Sequence, residues 1–327
     1  MKRISIGVLM GGKSSEYEVS LDTGQNVLEY LNSKKYRVTS IIITKRGDWL
    51  VGGKKKSISE ALKRIDLVFN AMHGEFGEDG KIQGLLECYG ISYTGSGVLA
   101  SALGMDKPRS YELFKSCGLS IPKNVIINKK IFYRRANANN YAELMRKLSR
   151  RLVIKPSCLG SSVGISIVEN SKDFKKAISV ATKKCNEVIV EEFIKGLEVT
   201  CGIVENTKRQ KYFALPVTEI IPPNGRFFDY EVKYNGSTQE ITPARINKNL
   251  TTTIQEQAIK AHQILGCRGY SRVDFILKNN KTPYILEVNT LPGLTSESLL
   301  PKAAKSAGIG FSELLDIIIK NAMLNKQ

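Results

Sequence analysis

The chain is poor in the residues that build metal cages and redox motifs. Of its 327 residues only two are histidine, His73 and His262, and no His/Cys cluster has zinc-ligand spacing. The six cysteines are scattered with no C-x-x-C pair. A chain of this length does not depend on cross-links, so they read as reduced thiols of a cytoplasmic protein. No apolar run approaches the ~18 residues that a membrane helix requires, which argues against a membrane partner. The opening run from Ile4 to Met10 is interrupted by Ser5 and Gly7 and leads into Gly11-Gly12 without a small-residue cleavage site. It reads as a first strand rather than a secretion signal. Gly11-Gly12 does not complete G-x-G-x-x-G, so a nicotinamide cofactor loses ground. Internal repeats and low-complexity tracts are absent too.

Charge is present in excess of one sign, 49 lysines and arginines against 31 acids, for a net +18. Such a balance raises nucleic acid as a partner. The cations are spread, however, in short clusters such as Lys54-Lys55-Lys56, without aromatics interleaved along a basic stripe. Nucleic acid is therefore not expected, and a basic nucleic-acid-binding protein stands as the non-enzyme alternative. It would show salt-sensitive binding with little need for Glu287.

The first third alternates strand and helix patterns: strand from Ile4 to Met10, helix from Ser20 to Leu31, strands at 38–43 and 67–72, helix from Ile82 to Cys88. That alternation predicts α/β structure with an open, mostly parallel sheet whose ligands gather beyond the strand ends. Asp106 followed by Pro108 reads as the capped start of a new helix, and Lys195-Gly196 as a second joint. Three units are expected: 1–105 as the open-sheet domain, then 106–194 and 195–327 as α+β units. Pro222 to Tyr234 is a long polar loop of the kind that serves as a lid.

Two stretches carry the chemistry. In Ile285-Leu286-Glu287-Val288-Asn289 an acid and an amide stand two apart, on one face of an extended strand, with Asp274 on the strand before. These are hard oxygen donors suited to magnesium; the bland alternative is a set of polar positions on a half-buried sheet. In Leu152-Val153-Ile154-Lys155, followed by Gly160-Ser161-Ser162-Val163-Gly164, a lysine and a small, flexible loop can meet phosphate oxygens. The lysine precedes the glycines, so the loop is not a Walker motif, and a plain β-hairpin remains open. Together the two stretches read as an ATP site. Glu191-Glu192-Phe193-Ile194 could face adenine, with Glu198 on the ribose, or could be an ordinary edge strand. His73, in a glycine-rich turn with Glu75, Glu78 and Asp79, is either a ligand-pocket residue or a histidine satisfied within the turn. His262, inside a helical pattern, reads as structural or exposed.

With Gly11-Gly12-Lys13-Ser14-Ser15-Glu16, His73-Gly74-Glu75-Phe76-Gly77-Glu78-Asp79-Gly80, Met105-Asp106-Lys107, the Lys155 loop, Tyr230-Glu231-Val232-Lys233-Tyr234 and Glu287-Val288-Asn289-Thr290-Leu291-Pro292-Gly293 in order, the chain resembles the D-alanine-D-alanine ligases of the ATP-grasp superfamily. The resemblance runs from Ile4 to near Leu324. It implies ATP held between the second and third domains by Lys107, Lys155, Glu191 to Ile194, Glu198 and Lys233. It also implies two magnesium ions, with manganese as a substitute, on Asp274, Glu287 and Asn289. Two D-alanines would be joined through an acyl phosphate, for peptidoglycan precursor synthesis. Glu16, linked to Ser161 and Tyr234, would hold the first ammonium, with His73 in the same pocket. Arg272 and the Gly293 N–H would stabilise the oxyanion, and Ser298 and Leu299 would receive the second carboxylate. A homodimer is implied as well. Tyr234 favours an amine acceptor over D-lactate, and a D-alanine-D-lactate or other ATP-grasp ligase is the enzyme alternative. Cys158-Leu159 departs from an arginine-glutamate pair common among relatives, and the basic stretch from Asn128 to Arg135 has no assigned role.

Overall fold

Three β-sheets follow one another along the chain in the computed structural model, which describes residues 3–130, 139–158, 160, 164–183, 185–206, 208, 210–223 and 238–324. Ser161, Lys233, Tyr234 and most of the expected lid lie outside the described residues.

The first sheet contains β1 (Ile4–Gly11), β2 (Tyr36–Ile43), β3 (Trp49–Val51), β4 (Lys54–Lys56), β5 (Leu67–Asn70) and β6 (Ser92–Tyr93), in the order β4-β3-β2-β1-β5-β6. β2, β1, β5 and β6 run parallel, whereas β3 and β4 add an antiparallel edge. The sheet is thus open and mostly parallel, as the alternation predicts. The β3–β4 hairpin is absent from the sequence reading. Its signal is Gly52-Gly53, both at positive φ, the two-residue turn that matches strand twist. β5 ends two residues earlier than expected because the Asn70 side chain accepts the Met72 N–H at 3.1 Å and turns the chain. Helices α1 (Tyr17–Tyr30), α2 (Ile58–Leu62) and α3 (Lys81–Cys88) connect these strands, and α4 (Val98–Met105) follows the last of them.

Helix α5 (Lys107–Ser116) begins where the sequence places it: the Asp106 carboxylate accepts the Arg109 N–H, and Pro108 needs no donor in the first turn. The second sheet, β7-β10-β8-β9, is built from β7 (Asn124–Asn128), β8 (Leu152–Pro156), β9 (Ser166–Val168) and β10 (Glu187–Glu192), with α6 (Asn139–Lys147) and α7 (Ser171–Thr182). Ile154, Phe174, Ile178 and Val188 fill its core. One expectation fails here. Cys158 is joined to Cys185 in a disulfide, not left as a free thiol. The partners are 27 apart in sequence, but Ser157 N–H bonds the Glu187 carbonyl at 3.2 Å, which brings their Cα atoms to 6.1 Å. Linear spacing carries no trace of that approach.

The third sheet follows the order β14-β13-β11-β15-β16, with β12 also on β11. Its strands are β11 (Gly196–Glu205), β12 (Tyr212–Ala214), β13 (Thr218–Ile221), β14 (Gln239–Ile241), β15 (Tyr270–Lys278) and β16 (Thr282–Asn289). The strand expected over 213–221 is split into β12 and β13 around Pro216, which has no N–H for a ladder. Helix α8 (Lys248–Ile264) covers this sheet, while α9 (Leu299–Ser306) and α10 (Phe311–Leu324) return to the first. Leu314 and Ile318 of α10 share a core with Ile6 and Val8 of β1, each contributing about 1.5–3 kcal/mol by burial. No helix among the described residues is long and apolar enough to cross a membrane.

His262 is fully buried in α8 and structural: Nδ1 meets the Ser271 hydroxyl at 2.7 Å and Nε2 the Glu205 carboxylate at 3.4 Å. Burial alone would raise the Glu205 carboxyl, but His262 and the Gly269 N–H more than offset it and hold it below its usual 4.5. A depressed carboxyl stabilises the fold above its unfolded-state value, and that contribution is lost as pH falls through the folded-state value. Glu205→Gln should therefore lower stability near neutrality by about 1–3 kcal/mol. In thermal melts across pH the deficit should shrink toward acid; a deficit independent of pH would contradict the linkage.

Candidate active site

β1 lies between β2 and β5, so the loops leaving β1 and β5 diverge and open a crevice at the strand ends. A side chain at Gly11, φ +86°, would put its Cβ 2.3 Å from the Ile43 carbonyl oxygen, so this turn admits only glycine. The chain then enters α1 with Glu16 at its N-cap position. Glu16 N–H donates to the Ser14 hydroxyl at 3.2 Å, and that hydroxyl donates to the His73 carbonyl at 2.7 Å. The His73 ring is buried between the Thr23 hydroxyl, 2.8 Å from Nε2, and the Glu78 carboxylate, 3.3 Å from Nδ1. At Gly74 a Cβ would stand 2.5 Å from a Glu16 carboxylate oxygen, so Glu16 packs directly against the second loop.

The opposite wall is set by strand register. β15 and β16 pair antiparallel with Arg272 opposite Asn289 and Asp274 opposite Glu287, which puts all four on one face. A bulge follows at Leu286, and for that reason Ile285 and Val288, three apart, are both buried. The bulge leaves the Leu286 carbonyl off the ladder, where it accepts the Tyr111 hydroxyl at 2.8 Å. Arg272 grips both oxygens of Asp274 at 2.8 Å, and the Thr200 hydroxyl donates to one of them at 2.6 Å. Glu287 pairs with Lys107 at 3.1 Å.

Lys155 is buried, 2.7 Å from Glu191 and donating to the Tyr111 hydroxyl at 2.7 Å. Burial, with the Glu191 carboxylate beside it, pushes the Tyr111 phenol well above its ordinary value, so it stays protonated and donates. Tyr111 therefore links the lysine of the second sheet to the bulge of the third.

A cavity of about 680 Å³ lies between these walls. Glu16 and His73 line it from the first sheet, Lys107 and Gly160 from the middle of the chain. Arg272, Glu287, Asn289, Gly293, Ser298 and Leu299 line it from the third. Gly293 is pressed against Ser298: a Cβ there would meet the Ser298 hydroxyl at 2.8 Å and the His73 ring at 4.0 Å. Asp274 sits behind Arg272 rather than in the wall, and Lys155, Glu191, Glu192, Phe193, Ile194 and Glu198 are not part of it. Glu192 and Phe193 donate their N–H groups to the Lys123 and Arg151 carbonyls at 2.9 and 3.0 Å, and Ile194 is buried. Glu198 is half-buried on β11.

Two carboxylates and an amide on adjoining strands, without sulfur or imidazole, fit a hard divalent cation. At Asp274 such an ion would have to displace Arg272, which occupies both carboxylate oxygens. Thr23, Tyr111 and Thr200 escape sequence reading, since their partners lie 44 to 175 residues away.

An open, mostly parallel sheet followed by two sheets with their own helices, the first and third walling a common cavity, defines an ATP-grasp enzyme. Family models for the N-terminus and the C-terminus of D-Ala-D-Ala ligase match residues 5–61, 52–96 and 113–320. The D-alanine–D-alanine ligase of Geotalea uraniireducens is 43% identical over 99% of this chain and 97% of its own, and that of Pelotomaculum thermopropionicum 41% identical over 98% of each. Among solved structures, the Bacillus anthracis D-alanine–D-alanine ligase complexed with ATP superposes with a TM-score of 0.81 at 34% identity, over 99% of this chain and 98% of that one. The VanG D-Ala:D-Ser ligase of Enterococcus faecalis gives 0.85 at 34%, over 98% and 100%. This chain belongs to the D-alanine–D-alanine ligase family.

Tyr111→Phe should strand the Leu286 carbonyl and leave the Lys155 ammonium with Glu191 alone, at a cost of about 1–3 kcal/mol in denaturant unfolding. An unchanged midpoint would count against the link.

Proposed function

We propose that this chain catalyses the reaction its family is named for, joining two D-alanines with consumption of ATP, and that the cavity between the three sheets is where it does so. The observation that carries the reading is the meeting of an acid from the first sheet, Glu16, with the Arg272, Glu287 and Asn289 face of the third, around one cavity. A zwitterionic substrate needs an acid for its ammonium and donors for its carboxylate, and both kinds of group are present there.

In the first step a D-alanine carboxylate oxygen attacks the γ-phosphorus of ATP, the bond to the β-phosphate oxygen breaks, and ADP leaves an acyl phosphate. Lys107 and Lys155 bear positive charge toward the phosphates, and Glu16 holds the ammonium of this donor. In the second step the amine of the acceptor D-alanine attacks the acyl carbon, inorganic phosphate departs, and the nitrogen loses a proton. Arg272 and the Gly293 N–H face the oxyanion that develops, where fixed donors are worth most. Ser298 and Leu299 receive the acceptor carboxylate at the start of α9. Glu287, Asn289 and Asp274 would hold magnesium, and the bound ions would neutralise phosphate charge. Lys233, Tyr234 and Ser161 belong to the same reading as residues that close on the nucleotide and the first ammonium. The domain limits proposed are 1–105, 106–194 and 195–327, and the working form is a homodimer in the cytoplasm.

A coupled phosphate-release assay tests this directly. Release should require D-alanine and a divalent cation, with D-alanyl-D-alanine as product; equal activity with L-alanine would refute the assignment. Glu287→Ala should reduce turnover by a factor of about 10² or more; because Glu287 is also the partner of the buried Lys107, the melting point should fall as well, and turnover is read below the variant's melting range. Near-normal turnover in that variant would remove Glu287 from the chemistry.

A further inference from the structure

One lysine in the cavity wall has no part in the reaction as described. Lys302 stands in the first turn of α9, one turn beyond the N-cap residue Ser298, whose carbonyl accepts the Lys302 N–H at 3.3 Å. Helical side chains lean toward the N-terminus, so the Lys302 stem runs back over the turn that carries Ser298 and Leu299. Its ammonium bridges two carboxylates, Glu297 at 2.9 Å and Glu240 at 3.0 Å. All three side chains line the cavity.

The two bridges differ in kind. Glu297 is 84% exposed, so that arm contributes little to stability. Glu240 is 18% exposed and belongs to β14, where it is the register partner of Ile220 on β13. Ile220 in turn is buried against Leu299. The first turn of α9 is therefore docked on the β13–β14 pair by one apolar contact and one ion pair, set side by side. Burial alone would lower the Lys302 ammonium, but Glu297 and Glu240 more than offset it, so the bridge is charged at neutral pH. The other cations in the described wall, Lys107 and Arg272, are engaged at the strand floor with Glu287 and Asp274. Nothing else described holds the α9 side of the cavity to the sheet edge by charge.

We propose that Lys302 is a positioning residue for the acceptor subsite: by tying α9 to Glu240 of β14 it sets where Ser298 and Leu299 stand when the second amino acid's carboxylate arrives. This deepens the functional reading above and rests on it. Because Lys302 acts through Ser298 and Leu299, its loss shows in acceptor binding, while Glu16 on the first sheet and the Lys107–Glu287 pair at the strand floor are spared.

Initial rates over a wide range of D-alanine, fitted for donor and acceptor binding separately, test this in the full-length enzyme. Lys302→Met should raise the acceptor KM by about tenfold, with the donor KM, the KM for ATP and kcat within about twofold of wild type. Lys302→Arg should recover most of the loss. Glu240→Gln should shift the acceptor KM in the same direction, and the double variant should be no worse than the poorer single one, since both remove one bridge. An unchanged acceptor KM in Lys302→Met overturns the proposal, as does a parallel rise in all three constants, which would mark general damage to the fold. If Lys302→Met fails to fold, Lys302→Arg and Glu240→Gln carry the same test. A wild-type enzyme that releases no phosphate with D-alanine would instead overturn the functional reading, and this inference with it.

Discussion

The pairing of β15 with β16 is the constraint on which the site depends. With Asp274 opposite Glu287 and Arg272 opposite Asn289, two acids, an amide and a guanidinium share one face of the sheet. A slip of one residue would turn the whole set away from the cavity, because strand side chains alternate with a period of two. The bulge at Leu286 secures this register: it lets Ile285 and Val288 both reach the core, while the carbonyl it frees is taken by Tyr111. Packing below the sheet and chemistry above it are thus settled by the same irregularity.

Charge in the site is balanced pair by pair. Lys107 meets Glu287, Arg272 meets Asp274 and Lys155 meets Glu191, with each cation also serving a carboxylate that would be costly to bury alone. The compensation keeps acids and bases close together in a partly desolvated space. It also means that the groups proposed to handle phosphate and metal are already oriented by one another before any ligand enters. On the first sheet the corresponding work is done by neutral contacts: the Ser14 hydroxyl and the bare backbone of Gly74 seat Glu16 beside His73.

Much of the candidate site is legible in the chain because it depends on local spacing. Glu287 and Asn289 share a face on any extended strand, Asp106 and Pro108 announce a helix start, and the glycines after β1 and β5 mark turns that a side chain would block. What is missed is what distance hides. Tyr111 becomes part of the site only through partners at Lys155 and Leu286, and Thr200 only through Asp274, and neither carries a motif of its own. The Cys158–Cys185 bridge corrects the expectation of reduced thiols for the same reason, since the two approach only where β8 and β10 lie side by side. Asp274 shows a subtler gap: its strand is foreseen, but its retreat behind Arg272 is not.

By itself the sequence determined the alternation of elements in the first third, the glycine turns, the capped entry to α5 and the membership of the chain in its family, since each rests on residues close together or on motifs in fixed order. Only the tertiary structure decided which walls face one another: that α9 docks on β13 and β14 through Leu299 and Lys302, that α10 returns to the first sheet, and that Glu16 and Glu287 border one cavity. Local sterics and hydrogen bonding act over a few residues and can be read along the chain. The meeting of distant surfaces depends on how buried area, register and charge are satisfied all at once, and no short stretch contains that sum.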